Sequence, residues 1–175
     1  MKATGVVRRI DELGRIVIPK EIRRTLKIKN GTPLEIYSGD NGELLLKKYS
    51  PILELSDFAS EVAESIYTAT DLSVLVLNME KVISCNGISK NYINKQIDSS
   101  IEKAINSRAC KIYNKSTLNT YLFADLTNIN FALCPISCAG DVFGAILLFD
   151  TTKEITEADL KLGQAFAEFI GKQVG

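Results

Sequence analysis

The first fifty residues are too few to close a hydrophobic core as a single copy, and that limit governs what this chain can become. They read as strand, strand, short helix, strand, strand. Residues 2–10 are rich in Val, Thr and Ile, Asp11-Glu12-Leu13-Gly14 supplies a turn, and residues 15–18 form a second β-rich run. Pro19 sets φ where a helix can begin without an amide donor, and a cationic helix is expected from Lys20 to Leu26 or Lys27. A hairpin of residues 34–38 and 43–49 should follow around Asn41-Gly42, a pair suited to a tight turn. One copy leaves Val6, Ile16, Ile18, Leu34, Ile36 and Leu45 uncovered, so residues 1–50 are expected to dimerise.

Charge separates this head from the rest. Residues 1–50 hold eleven Lys and Arg against six Asp and Glu, a net of +5, while residues 51–175 hold ten against fifteen, a net of −5. A basic end on a neutral chain is a prior for an anionic partner, most often nucleic acid. At about 100° per residue, Lys20, Arg23, Arg24 and Lys27 share one arc of the helix, opposite Ile22 and Leu26. A hairpin domain whose Arg and Lys only confer solubility would spread them evenly; here they gather on one helix face and beside one turn.

The run from Thr4 through Asp11-Glu12-Leu13-Gly14-Arg15-Ile16-Val17-Ile18-Pro19, then Glu21-Ile22-Arg23-Arg24-Thr25-Leu26, Leu34-Glu35-Ile36-Tyr37 and Leu46-Lys47-Lys48-Tyr49, resembles the AbrB-type transition-state regulators. The resemblance implies a swapped-hairpin β-barrel in which two chains interleave, each giving one short helix. It also implies a set of arginines that contact double-stranded DNA. The matching positions are Arg8, Arg15, Arg23 and Arg24, with Arg9 beside them and Lys20 and Lys27 as further phosphate contacts. Toxin-neutralising antitoxins are a sister branch, usually with a short disordered tail where this chain has a folded body.

Residues 51–175 read as an α+β body. Pro51 opens a helical stretch to about residue 70, and residues 72–78 are nearly unbroken in apolar character, as a central strand requires. Further strands are expected at residues 82–85, 121–126, 131–137 and 142–149, with a short helix over residues 98–107. Thr156-x-x-Asp159 is a capping box opening the last helix. This antiparallel sheet with flanking helices, and the run Ala132-Leu133-Cys134-Pro135-Ile136 followed by Asp141-Val142-Phe143-Gly144-Ala145, resemble GAF domains. An AbrB-type head on a GAF-like body resembles the sporulation regulators of endospore-forming Gram-positive bacteria. That implies a transcription factor, activating some genes and repressing others in the developing forespore.

Composition narrows the alternatives. With 46% hydrophobic and 24% charged residues the chain should be folded, and no apolar run approaches the roughly 20 residues of a membrane span. The N-terminus lacks an apolar signal segment, so a cytoplasmic location is expected. The absence of His removes imidazole bases, and neither catalytic residues, a metal nor a cofactor is expected. The even count of Cys85, Cys110, Cys134 and Cys138 permits two disulfides, but without a secretory signal buried free thiols are the expectation. An all-thiolate zinc site and a Cys-dependent reductase are the rival uses of these residues. Residues 85–92 and 111–120 would cover a GAF-type pocket for an unidentified small molecule. A ligand- or redox-sensing module without a primary DNA role is thus the alternative to the DNA-binding reading. The helices at residues 54–69 and 157–174 offer surfaces for a homotetramer.

Overall fold

The computed structural model describes residues 5–114, 123, 126 and 129–174. The chain divides into two compact units, Met1–Tyr49 and Ser50–Gly175.

In the first unit a helix, α1 (Lys20–Thr25), precedes an antiparallel hairpin of β1 (Leu34–Ser38) and β2 (Leu44–Lys48). Gly39 and Glu43 close the hairpin, with the Gly39 amide donating to the Glu43 carbonyl at 2.8 Å and Gly42 at a φ of 75° that suits glycine. Ile36 stands opposite Leu46, and Ser38 opposite Leu44. The expected strands at residues 2–10 and 15–18 are unpaired within this chain, as far as it is described. Strand backbone needs a neighbour to take its N–H and C=O groups, and a single copy supplies none. None of residues 5–49 is buried, while Ile36, Leu44 and Leu46 expose their side chains to about half or more (66%, 63% and 47%). Leu45, also expected among the uncovered residues, stands opposite Tyr37 on the other face and is half-buried, as are Ile18 and Leu34.

The second unit opens with α2 (Pro51–Glu54) and α3 (Ser56–Thr70), where one continuous helical stretch is expected from the sequence; Leu55 separates them. Then follow β3 (Ser73–Asn78), β4 (Val82–Asn86), α4 (Ser99–Asn106), β5 (Lys111–Tyr113), β6 (Asn130–Cys138), β7 (Asp141–Asp150) and α5 (Glu157–Val174). The sheet order is β4-β3-β7-β6-β5, antiparallel throughout. Strand alternation sends Val74, Val76, Ile146 and Leu148 to one face, beneath α3 and α5, and Leu75, Leu77, Ala145 and Leu147 to the other, with Ile101 and Ile105 of α4. Both faces are buried, which is why these strands read as unbroken apolar runs. Thr156 and Asp159 cap α5 reciprocally: the Thr156 amide donates to Asp159 Oδ2 at 2.8 Å, and the Asp159 amide to Thr156 Oγ1 at 3.3 Å.

Three further points differ from the sequence reading or lie beyond it. Among the described residues β5 is an edge strand, inside a segment expected to be a covering loop. The strand expected at residues 121–126 lies largely outside the described residues. The expectation of free thiols fails for Cys110 and Cys134, whose sulfur atoms are in direct contact as a disulfide. Lys111 pairs with Leu133, so the ladder register sets Cys110 directly opposite Cys134. Cys85 and Cys138 remain free. Cys85 belongs to the apolar layer under α4 and Cys134 to the layer under α5, so the four sulfurs do not converge as a zinc site requires.

Candidate nucleic-acid interface

The turn at residues 11–15 is organised by one carboxylate. Asp11 Oδ1 accepts from the amides of Leu13 (3.0 Å) and Arg15 (2.8 Å), and its Oδ2 accepts from Arg15 Nε at 2.7 Å. Backbone bonds from Gly14 N to Asp11 O (2.9 Å) and from Asp11 N to Arg15 O (3.1 Å) complete the loop. The Arg15 amide, then its guanidinium, hold the Asp11 carboxyl below the usual aspartate range. Arg15 is therefore oriented through Nε, and its side chain stays 70% exposed. Arg8 and Arg9 are exposed and form no ion pair among the described residues.

The cationic helix distributes its charges unequally. Lys20 and Arg24 are exposed, and Arg24 pairs with Glu21 at 3.2 Å on the surface. Arg23 is half-buried: its Nη1 donates to Asn30 Oδ1 at 3.0 Å, and its Nε is buried without a partner. It thus ties the helix to the Asn30-Gly31 loop. Lys27 leaves the arc on which its spacing places it. The helix ends at Thr25, and Lys27 takes a left-handed φ of 53°. The Ile28 amide then reaches the Arg23 carbonyl (2.7 Å) and the Lys27 amide the Arg24 carbonyl (3.2 Å), the bond pair that closes a helix with a left-handed residue.

Sequence reasoning singled out the arginines but passed over Asp11 and Asn30, which hold two of them. The signal at Asp11 was present: an Asp at the head of a turn, four residues before an Arg, can take both the turn amides and the side chain. Asn30 gave no comparable sign, because its contact spans seven residues across the helix end.

Comparison with known proteins matches the two ends of the chain to different families, with the ranges meeting at residue 54. Residues 54–175 match the family described as "Stage V sporulation protein T C-terminal, transcription factor", and residues 7–54 match "Antidote-toxin recognition MazE, bacterial antitoxin". Stage V sporulation protein T of Bacillus subtilis is 41% identical over 176 residues, covering 99% of both chains. The transition state regulatory protein AbrB of the same organism is 59% identical over 51 residues, 29% of this chain and 52% of that protein. The second GAF domain of DevS from Mycobacterium smegmatis superposes with a TM-score of 0.56 at 17% identity, over 68% of this chain and 91% of that one, which shows the fold of the body alone. An AbrB-type DNA-binding head on a GAF-fold body defines the class: a transcriptional regulator. Within that class the chain belongs to the stage V sporulation protein T family. No helix of the described residues is long and apolar enough to cross a membrane.

Proposed function

We propose that this chain is a cytoplasmic sporulation regulator that grips double-stranded DNA as an interleaved dimer of residues 1–50. Arg8, Arg9, Arg15 and Arg24 make the direct contacts, Lys20 and Lys27 add phosphate contacts, and Arg23 contacts DNA while bracing the helix. Activation of some genes and repression of others in the forespore is the setting implied by the family. One observation carries this reading. Within residues 5–49 no side chain is buried, and exposed apolar residues share that unit with the basic turn and helix. A folded head with no fully buried residue among those described is completed by a second copy, and completion brings two basic surfaces together.

The body holds chains together, through the faces of α3 and α5 where Phe58 and Phe169 meet at 5.4 Å, and Phe169 stays 46% exposed. It is also the place where an unidentified small-molecule signal acts. Pairing of these helices builds the tetramer.

The test is fluorescence anisotropy with duplex DNA at two salt concentrations. Each phosphate neutralised should contribute about −0.9 to the slope of log affinity against log salt. Affinity indifferent to salt would overturn the DNA-binding reading, and a head that sediments as a folded monomer at micromolar concentration would overturn the interleaved dimer.

A further inference from the structure

We propose that Cys110 and Cys134 form a reversible redox site, a two-thiol pair seated between the edge of the body sheet and its last helix. This does not rest on the DNA-binding reading. The two residues face each other across β5 and β6 with Cα atoms 4.3 Å apart, the spacing of directly opposed residues in an antiparallel ladder. The ladder therefore delivers one sulfur to the other, and no loop has to close to form the bond.

Access to the pair is one-sided. Cys134 is fully buried, whereas Cys110 is half-buried at the sheet edge. A low-molecular-weight thiolate can thus attack Cys110 Sγ and not Cys134 Sγ. That attack breaks the protein disulfide, forms a mixed disulfide on Cys110 and releases Cys134 as a thiolate, which takes up a proton. A second thiolate attacks the outer sulfur of the mixed disulfide, expels the Cys110 thiolate, which is protonated in turn, and leaves as the small-molecule disulfide. In balance, the protein disulfide and two small thiols become two protein thiols and one small disulfide, and the reverse reaction oxidises the pair. Cys85 is no rival: it is buried, and burial pushes its thiol up against the weaker opposing effect of Lys90.

The reduced pair also has a seat. The Leu160 carbonyl of α5 lies 3.5 Å from Cys134 Sγ and 3.9 Å from Cys110 Sγ, placed to accept a thiol hydrogen. One turn further, α5 approaches so closely that a Cβ on Gly163 would stand 3.1 Å from Cys134 Sγ. When the bond opens, the sulfurs must separate to about 3.5–4 Å, ordinary contact distance. Cys134 is held down by α5, so the displacement falls on Cys110 and on β5, whose one ladder neighbour among the described residues is β6. The redox state is therefore read at the sheet edge.

The experiment equilibrates the full-length protein with glutathione at graded ratios of reduced to oxidised form, followed by alkylation under denaturing quench and peptide mass mapping. The expected result is that Cys110 and Cys134 pass together from alkylated to linked as the ratio changes, while Cys85 and Cys138 are alkylated throughout. In Cys134→Ala, glutathione should become trapped on Cys110; in Cys110→Ala, Cys134 should stay unmodified. Hydrogen exchange at β5 should be at least several-fold faster in the reduced protein. The proposal fails if the pair stays alkylated, or stays linked, across the whole range. It fails equally if Cys134 captures glutathione in Cys110→Ala. Equal exchange at β5 in both states would overturn the displacement. Should either variant not fold, mapping of the native chain still decides the matter.

Discussion

Arg15 donates through Nε to one oxygen of Asp11 at 2.7 Å, while its own backbone amide donates to the other oxygen at 2.8 Å. The carboxylate therefore fixes both where the arginine starts and which way its guanidinium plane points. An arginine held at Nε keeps its outer nitrogens for a planar partner such as a phosphate or the edge of guanine.

Asp11→Ala separates positioning from charge. Removing an acidic residue from a basic head should strengthen DNA binding by electrostatics alone. Loss of a positioned Arg15 should weaken it instead, by about tenfold, or roughly 1.4 kcal/mol in binding free energy. Anisotropy titration of the full chain decides on the sign. Asp11→Asn, which keeps an acceptor for the turn amides, should recover part of the loss.

Acid sensitivity follows from three aspartates whose carboxyls are held low. Asp11 is lowered chiefly by the Arg15 amide, Asp98 by the Ser100 hydroxyl, and Asp150 by the amides of Lys153 and then Thr152. In each case the unfolded chain binds protons at a higher pH than the folded one. The stabilisation is complete above the ordinary aspartate value of about 3.9 and drains away as pH falls through the depressed folded values. Urea midpoints between pH 6 and pH 2.5 should drop below about pH 4, and Asp150→Asn should flatten that drop.

Arg23 and Arg15 should behave differently on truncation. Arg15→Ala should weaken DNA binding and leave head stability nearly unchanged, because its side chain is 70% exposed and bonds to Asp11 of its own turn. Arg23→Ala should weaken DNA binding and also lower head stability by about 1 kcal/mol through the lost bond to Asn30. Thermal melts beside anisotropy measure both effects; identical melts for the two variants would contradict the bracing role.

The joint after residue 49 is anchored on its body side. Asn78, buried, donates from Nδ2 to Ser50 Oγ at 3.1 Å and accepts the amides of Glu80 and Lys81 on Oδ1 at 2.9 and 2.8 Å. Pro51 and Ile52 are buried immediately after it. Asn78→Ala should cost the body about 1–3 kcal/mol, since two amides lose their acceptor. A flexible Gly/Ser insertion after Ser50 should keep binding to a single DNA site intact and weaken cooperative binding to adjacent sites. Unchanged cooperativity would make the body a passive clamp.

Much of this architecture was legible because local signals agreed with the tertiary outcome. The Asn41-Gly42 turn, the Thr156-Asp159 cap and the apolar runs at β3 and β7 each have a short-range physical cause. What escaped the sequence depends on register or on a second chain. No local pattern places Cys110 opposite Cys134, because that pairing is set by how β5 lies along β6. Lys27 misled helical spacing because the helix stops two residues before it. Residues 2–10 and 15–18 were expected as strands, yet as far as they are described they have no ladder within one copy, and strand backbone needs a neighbour to take its polar groups.

That incomplete head has a consequence for dosage. If the DNA-gripping form exists only as a product of two chains, its amount at low expression rises with the square of the protein's concentration. Doubling synthesis would then roughly quadruple occupancy of a weak promoter, and halving it would cut that occupancy to about a quarter. A regulator built this way responds more steeply than linearly to a gradual rise in its own abundance, before any signal reaches its body.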